Sequence, residues 1–124
     1  MVQVEIAQLT GECDAWREKL RQYREEFTQD KTKLQQVASP SLSKVQLQDV
    51  EHLHNQFHIQ LINIHDLKQS IKIHERRLNF EMTKDNHLNE ETMAEHEGLL
   101  GEYQSLEHTL LELRDEFDQF LERT

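Results

Sequence analysis

Apolar side chains recur in 3-4 alternation from the start of the chain. Over residues 2–37 the alternating positions are Val2, Ile6, Leu9, Cys13, Trp16, Leu20, Tyr23, Phe27, Asp30, Leu34 and Val37, and only Asp30 is polar. A repeat averaging 3.5 residues marks one face of a helix that winds around another, because a helix of 3.6 residues per turn keeps such a seam inside only by supercoiling. The spacing predicts a helix over residues 1–38. The repeat is in phase from Val2, so the chain is expected to be a section of a longer rod.

Ser39-Pro40-Ser41-Leu42-Ser43 breaks the pattern. Proline lacks the N–H a helix needs and pushes the residue before it out of the α region. Residues 39–43 are therefore expected to form a turn, with Ser41 or Ser43 capping the next helix. That helix is expected over residues 44–84, with Val50, Phe57, Ile64, Ile71 and Leu78 as its strongest column. Two neighbouring columns are mixed: Leu47, His54, Leu61, Lys68, Glu75 and Met82, and Leu53, Gln60, Leu67 and His74. A second stripe, Val45, Ile59, Ile62, Ile73 and Phe80, lies roughly 140–170° around the helix at 100° per residue. Helices that are apolar on two sides are usually covered on two sides. Ile59, Ile62, Ile73 and Phe80 are thus expected to meet another chain, while the first face meets the first helix.

Residues 85–92 interrupt the pattern without Gly or Pro, and Asn89-Glu90-Glu91 reads as a cap followed by an acidic first turn. The last helix is expected over residues 93–124, with His96, Leu99, Tyr103, Leu106, Leu110, Leu113, Phe117 and Phe120 in 3-4 alternation and Leu100, Leu111 and Leu121 widening the stripe. The heptad phase carries across 85–92, so two readings stand: a second turn, or an uninterrupted rod. Gly98 and Gly101 lie off the core columns, each costing roughly 1 kcal/mol against Ala. All three segments are helical, which predicts an all-α protein: an elongated coiled coil or helical hairpin of two to three long helices.

Composition agrees with that class and narrows the partners. Only 35% of the 124 residues are apolar, below the roughly 45–50% of an ordinary globular domain, and three Gly and one Pro leave few turns for a sandwich or barrel. No apolar run approaches the roughly 20 residues of a membrane span, and no signal peptide is evident. The formal net charge is -10, which argues against nucleic acid. The charge is uneven: residues 1–40 hold six Lys and Arg against seven Asp and Glu, residues 41–86 six against six, and residues 87–124 two against eleven. In a parallel homodimer the first helix would pair Glu12 with Arg17 and Glu26 with Lys31 but set Lys19 against Arg24, a mild net attraction, whereas the last would set Glu102 against Glu107. The acidic helix is therefore expected to pair with something other than its own copy, a basic protein partner included. One cysteine precludes an internal disulfide and suits the cytosol, with the nucleus as the alternative.

Chemistry-bearing residues are few. His54 and His58 have the i, i+4 spacing that can chelate Zn²⁺, with Glu51 on the same face, but the bland reading is a polar flank of a helix. His54 and His96 fall on core columns, where burial would resist protonation. Cys13 reads as a small core residue, and Trp16 and Tyr23 as core knobs. No phosphate-binding loop, dinucleotide fingerprint, HExxH, GxSxG or paired CxxC is present. No enzyme activity, cofactor, metal or small-molecule substrate is expected.

The heptads are similar to those of rod segments in cytoskeletal, centrosomal, motor-tail and tethering proteins. Three helices with Trp16 in the first also resemble a spectrin repeat, from which the two-faced second helix and the continuous phase depart. The expected function is a structural coiled-coil module for oligomerisation and partner docking in a larger scaffold. The alternative is a self-contained monomeric three-helix adaptor binding a basic protein through the last helix.

Overall fold

The computed structural model describes residues 2–38, 41–84 and 88–124, with side chains from residue 6 onward. Three helices account for almost all of it: α1 (Val2–Val37), α2 (Lys44–Lys84) and α3 (Glu90–Arg123). They hold 36, 41 and 34 residues, which at about 1.5 Å per residue makes rods of roughly 50–60 Å. Among the described residues there is no strand, and no helix is long and apolar enough to cross a membrane. Ser39, Pro40, Asp85, Asn86 and His87, on which the two sequence breaks centre, lie outside the described residues.

The ends of the helices follow from local chemistry. Ser43 and Gln46 form a reciprocal capping box: the Gln46 N–H donates to Ser43 Oγ at 3.1 Å, and the Ser43 N–H donates to Gln46 Oε1 at 2.9 Å. Each bond satisfies a donor that helix geometry leaves without a partner. Asn89 caps α3, its Oδ1 accepting from the Glu91 N–H at 2.9 Å, and Glu90 and Glu91 lie in the first turn, where the helix dipole favours negative charge.

Cross-helix contacts fix the directions. Phe27 meets Phe57, and Arg17 meets Glu75, so α1 and α2 are antiparallel. Phe57 meets Phe117, and His74 meets His96, so α2 and α3 are antiparallel as well. α2 and α3 are therefore two separate helices rather than one uninterrupted rod. α1 and α3 consequently run in the same direction, with Tyr23 donating to Glu107 and Arg114 to Glu26 across their seam. The protein is an all-α up-down-up bundle.

Its core is one continuous column drawn from all three heptad stripes. Ile6, Leu9, Cys13, Trp16, Leu20, Tyr23, Phe27 and Leu34 are buried on α1, and Leu99, Leu110, Leu113, Phe117 and Phe120 on α3. Toward the end of the bundle where α1 gives way to α2, each helix contributes one phenylalanine. Phe27 and Phe57 meet edge to face at 5.6 Å between ring centroids, as do Phe57 and Phe117 at 5.2 Å, a geometry worth about 0.5–1.5 kcal/mol per pair beyond the area buried. On α2 the buried set is Leu53, Phe57, Gln60, Ile64, Leu67, Ile71, His74, Leu78 and Glu81. Serving two neighbours at once brings the mixed column Leu53–Gln60–Leu67–His74 inside along with the strong one. Val50, Leu61, Tyr103 and Leu106, expected in the core, are half-buried against it.

Candidate functional site

Among the described residues, most of the large apolar side chains that remain exposed lie on the outer face of α2. Ile59 is 45% exposed, Ile62 47%, Ile73 58% and Phe80 57%, with Val45 exposed above them. Heptad spacing puts Val45, His52, Ile59, Asp66, Ile73 and Phe80 in one column. That column flanks the groove between α2 and α3, because His52 Nε2 lies 2.9 Å from Glu116 Oε1 and Asp66 lines the groove with Gln60, Asn63, Gly101, Glu102 and Ser105. Around Ile73 and Phe80 the exposed charges are Lys72, Arg76, Arg77 and Lys84. The acids of the same stretch turn inward: Glu75 pairs with Arg17 of α1 at 2.5 Å, and Glu81 accepts from the Thr92 hydroxyl of α3 at 2.7 Å. The lower half of α2 therefore shows a basic and apolar surface on an otherwise acidic molecule. Across the groove α3 shows Glu102, Glu112 and Glu116.

A second, buried constellation sits nearer the α2–α3 turn. Cys13 of α1, His74 of α2 and His96 of α3 are 0%, 1% and 4% exposed, and one ligand atom from each lies within 4.8 Å of the other two. His74 Nε2 and His96 Nδ1 are 2.9 Å apart, and Cys13 Sγ is 3.9 Å from His96 Nδ1. The outward nitrogens are each held by a carboxylate: His74 Nδ1 by Glu95 Oε1 at 2.6 Å, and His96 Nε2 by Glu12 Oε2 at 3.0 Å. Glu95 is held in turn by Arg77 at 2.6 Å. The Trp16 ring covers His96 at 4.8 Å between centroids. Burial pushes the Cys13 thiol up to about 12, with Glu75, Asp14 and Glu12 adding to the effect. Burial also moves His74 below the usual imidazole range, against the opposing pull of Glu95. Both shifts favour the neutral form at pH 7.

Two further polar residues on core columns, Glu75 and Asp30, face arginines across the bundle. Glu75 is bound by Arg17, and its carboxyl sits above the ordinary range because burial outweighs that arginine. Asp30 lies 3.8 Å from Arg114. Lys68 is lowered by burial and by the cations Arg24 and Lys72. Tyr23 and Tyr103 both donate to Glu107 Oε2, at 2.8 and 3.2 Å, and burial raises both phenols, Tyr103 to about 12. The histidines of the i, i+4 pair part company with the core: His54 is half-buried and His58 exposed, as is Glu51.

Within-helix spacing could not reveal the Cys13–His74–His96 constellation, since each helix contributes one member. The available signal was that three potential metal ligands occupy inward columns on three different helices. No protein-family model matches this chain, nor does a curated protein or a solved structure.

Proposed function

We propose that this chain is a structural module that pairs with a second copy of itself through the outer face of α2, within a larger scaffold in the cytosol, and that it is not an enzyme. The exposed Ile59–Ile73–Phe80 column carries the reading. Core columns of all three helices are satisfied within one chain, so a further copy is not needed to cover them. An apolar column of this length on a monomer marks a contact surface.

Charge complementarity favours a second copy as the occupant. The lower half of α2 is basic around its apolar column, and α3 carries two Lys and Arg against eleven Asp and Glu from residue 87 on. Because α2 and α3 are neighbours, one two-fold axis lets each α2 lie across the other copy's α3, an isologous contact that closes as a dimer. Opposite charges across such a contact set register and partner choice more than affinity.

Sedimentation of the wild type and of the Ile59→Lys, Ile73→Lys double variant tests this. A wild type of twice 14.9 kDa and a helical but monomeric variant are expected. A wild type that stays monomeric at high concentration would sink the idea. It would instead favour a monomeric three-helix adaptor that binds a basic protein through α3, a reading supported by the closure of the core within one chain.

A further inference from the structure

Carboxylates only accept hydrogen bonds, so Glu95 and Glu12 fix the outward nitrogens of His74 and His96 as N–H donors. Two neutral imidazoles carry two N–H protons, and both are then committed outward. With the protons so placed, the inward nitrogens, His74 Nε2 and His96 Nδ1, which are 2.9 Å apart, turn lone pairs toward each other. Three short contacts surround two rings that supply two protons, and the sulfur of Cys13 stands beside the gap. Facing lone pairs repel, and a cation between them turns the repulsion into two bonds.

We propose that Cys13, His74 and His96 bind one zinc-class divalent cation as a thiolate and two neutral imidazoles, with Glu95 and Glu12 as supporting carboxylates. Bonds of about 2.3 Å to sulfur and about 2.0–2.1 Å to nitrogen place tetrahedral ligand atoms roughly 3.3 Å apart for N···N and roughly 3.6 Å for S···N. The present separations of 2.9 and 3.9 Å lie within about 0.5 Å of those values. One soft and two borderline ligands suit Zn²⁺ and Co²⁺ over Mg²⁺ or Ca²⁺. Each ligating imidazole is backed by a carboxylate, the arrangement that holds ring orientation and tautomer at zinc centres. Binding displaces one proton, that of the Cys13 thiol, to solvent, and both imidazoles keep their outward N–H. Three protein ligands leave the fourth position to water. The ligands come from α1, α2 and α3, so the cation staples all three helices at one level. This site lies inside one chain and is independent of how copies assemble.

Titration of the reduced wild type with Co²⁺ decides the matter. A thiolate-to-cobalt charge-transfer band that saturates at one equivalent and is bleached by Zn²⁺ is expected, since Cys13 is the one cysteine of the chain. Absence of that band from the folded wild type overturns the proposal. Zn²⁺ should also raise the thermal midpoint of the wild type and leave that of Cys13→Ala in place, because a ligand that binds only the native state stabilises it. An equal rise in both proteins would assign binding to the surface histidines and overturn the buried site. Glu95→Gln keeps every ligand atom and is expected to weaken affinity about 10–100-fold.

Discussion

Asp30 holds the one polar place in the heptad column of α1, and it shows what a charge costs there. Its side chain is 16% exposed, and its cation, Arg114, is 3.8 Å away. Arg114 spends its close contact on Glu26, at 2.6 Å. Burial pushes the Asp30 carboxyl above its ordinary range, Arg114 offsets part of that, and Asp118 and Glu26 add to it. A group whose pKa is higher in the folded state holds its proton longer there. The native state therefore loses stability as pH rises from the unfolded value, about 3.9, through the folded one. Asp30→Leu should remove that loss, and Arg114 keeps Glu26 as a partner. We expect a gain of about 1–2 kcal/mol at pH 7, shrinking toward pH 4. Urea denaturation at the two pH values measures it, and an equal or smaller gain at pH 7 would contradict the account. The misfit of Asp30 was legible in the column itself. Its partner was not, because Arg114 is 84 positions away and only the parallel packing of α1 and α3 brings the two together.

Helix boundaries belong to the next scale, where short-range chemistry decides. The Ser43–Gln46 capping box joins two residues three apart, so it can be read directly from the chain. Ser43→Ala removes one side of it and should cost about 1 kcal/mol, seen as a lower urea midpoint with unchanged slope. Residues 85–92 illustrate the opposite case. Heptad phase records which face of each helix is apolar and carries no information on the direction of the chain between helices. A phase that survives from Leu78 to Leu99 thus fits a rod and a fold-back equally well. Burial decides: Glu81 and Thr92 bond to each other inside the bundle, which a straight helix would hold well apart. The mixed column of α2 was undecided for a similar reason. Gln60 and His74 go inside because α3 returns along that side, and nothing local to α2 dictates it.

At the scale of the whole molecule, the two apolar faces of α2 make different demands on concentration. The inner face is covered by α1 and α3 of the same chain, so its burial is independent of how many copies are present. The outer column of Ile59, Ile73 and Phe80 is exposed in the single chain, and in the proposed dimer it gains cover only when a second copy arrives. Dimerisation should then make the thermal midpoint of the wild type rise with protein concentration by mass action. The Ile59→Lys, Ile73→Lys variant should melt at one concentration-independent temperature, equal to the wild-type value at limiting dilution. Phe57→Ala acts on the other face. It removes the ring that meets Phe27 and Phe117, and should cost about 3–5 kcal/mol at every concentration. Calorimetry across a hundredfold range of concentration separates the two faces. Parallel, concentration-independent melting of all three proteins would mean that the outer column stays in water, and would leave the acidic surface of α3 as the surface on which a partner has to act.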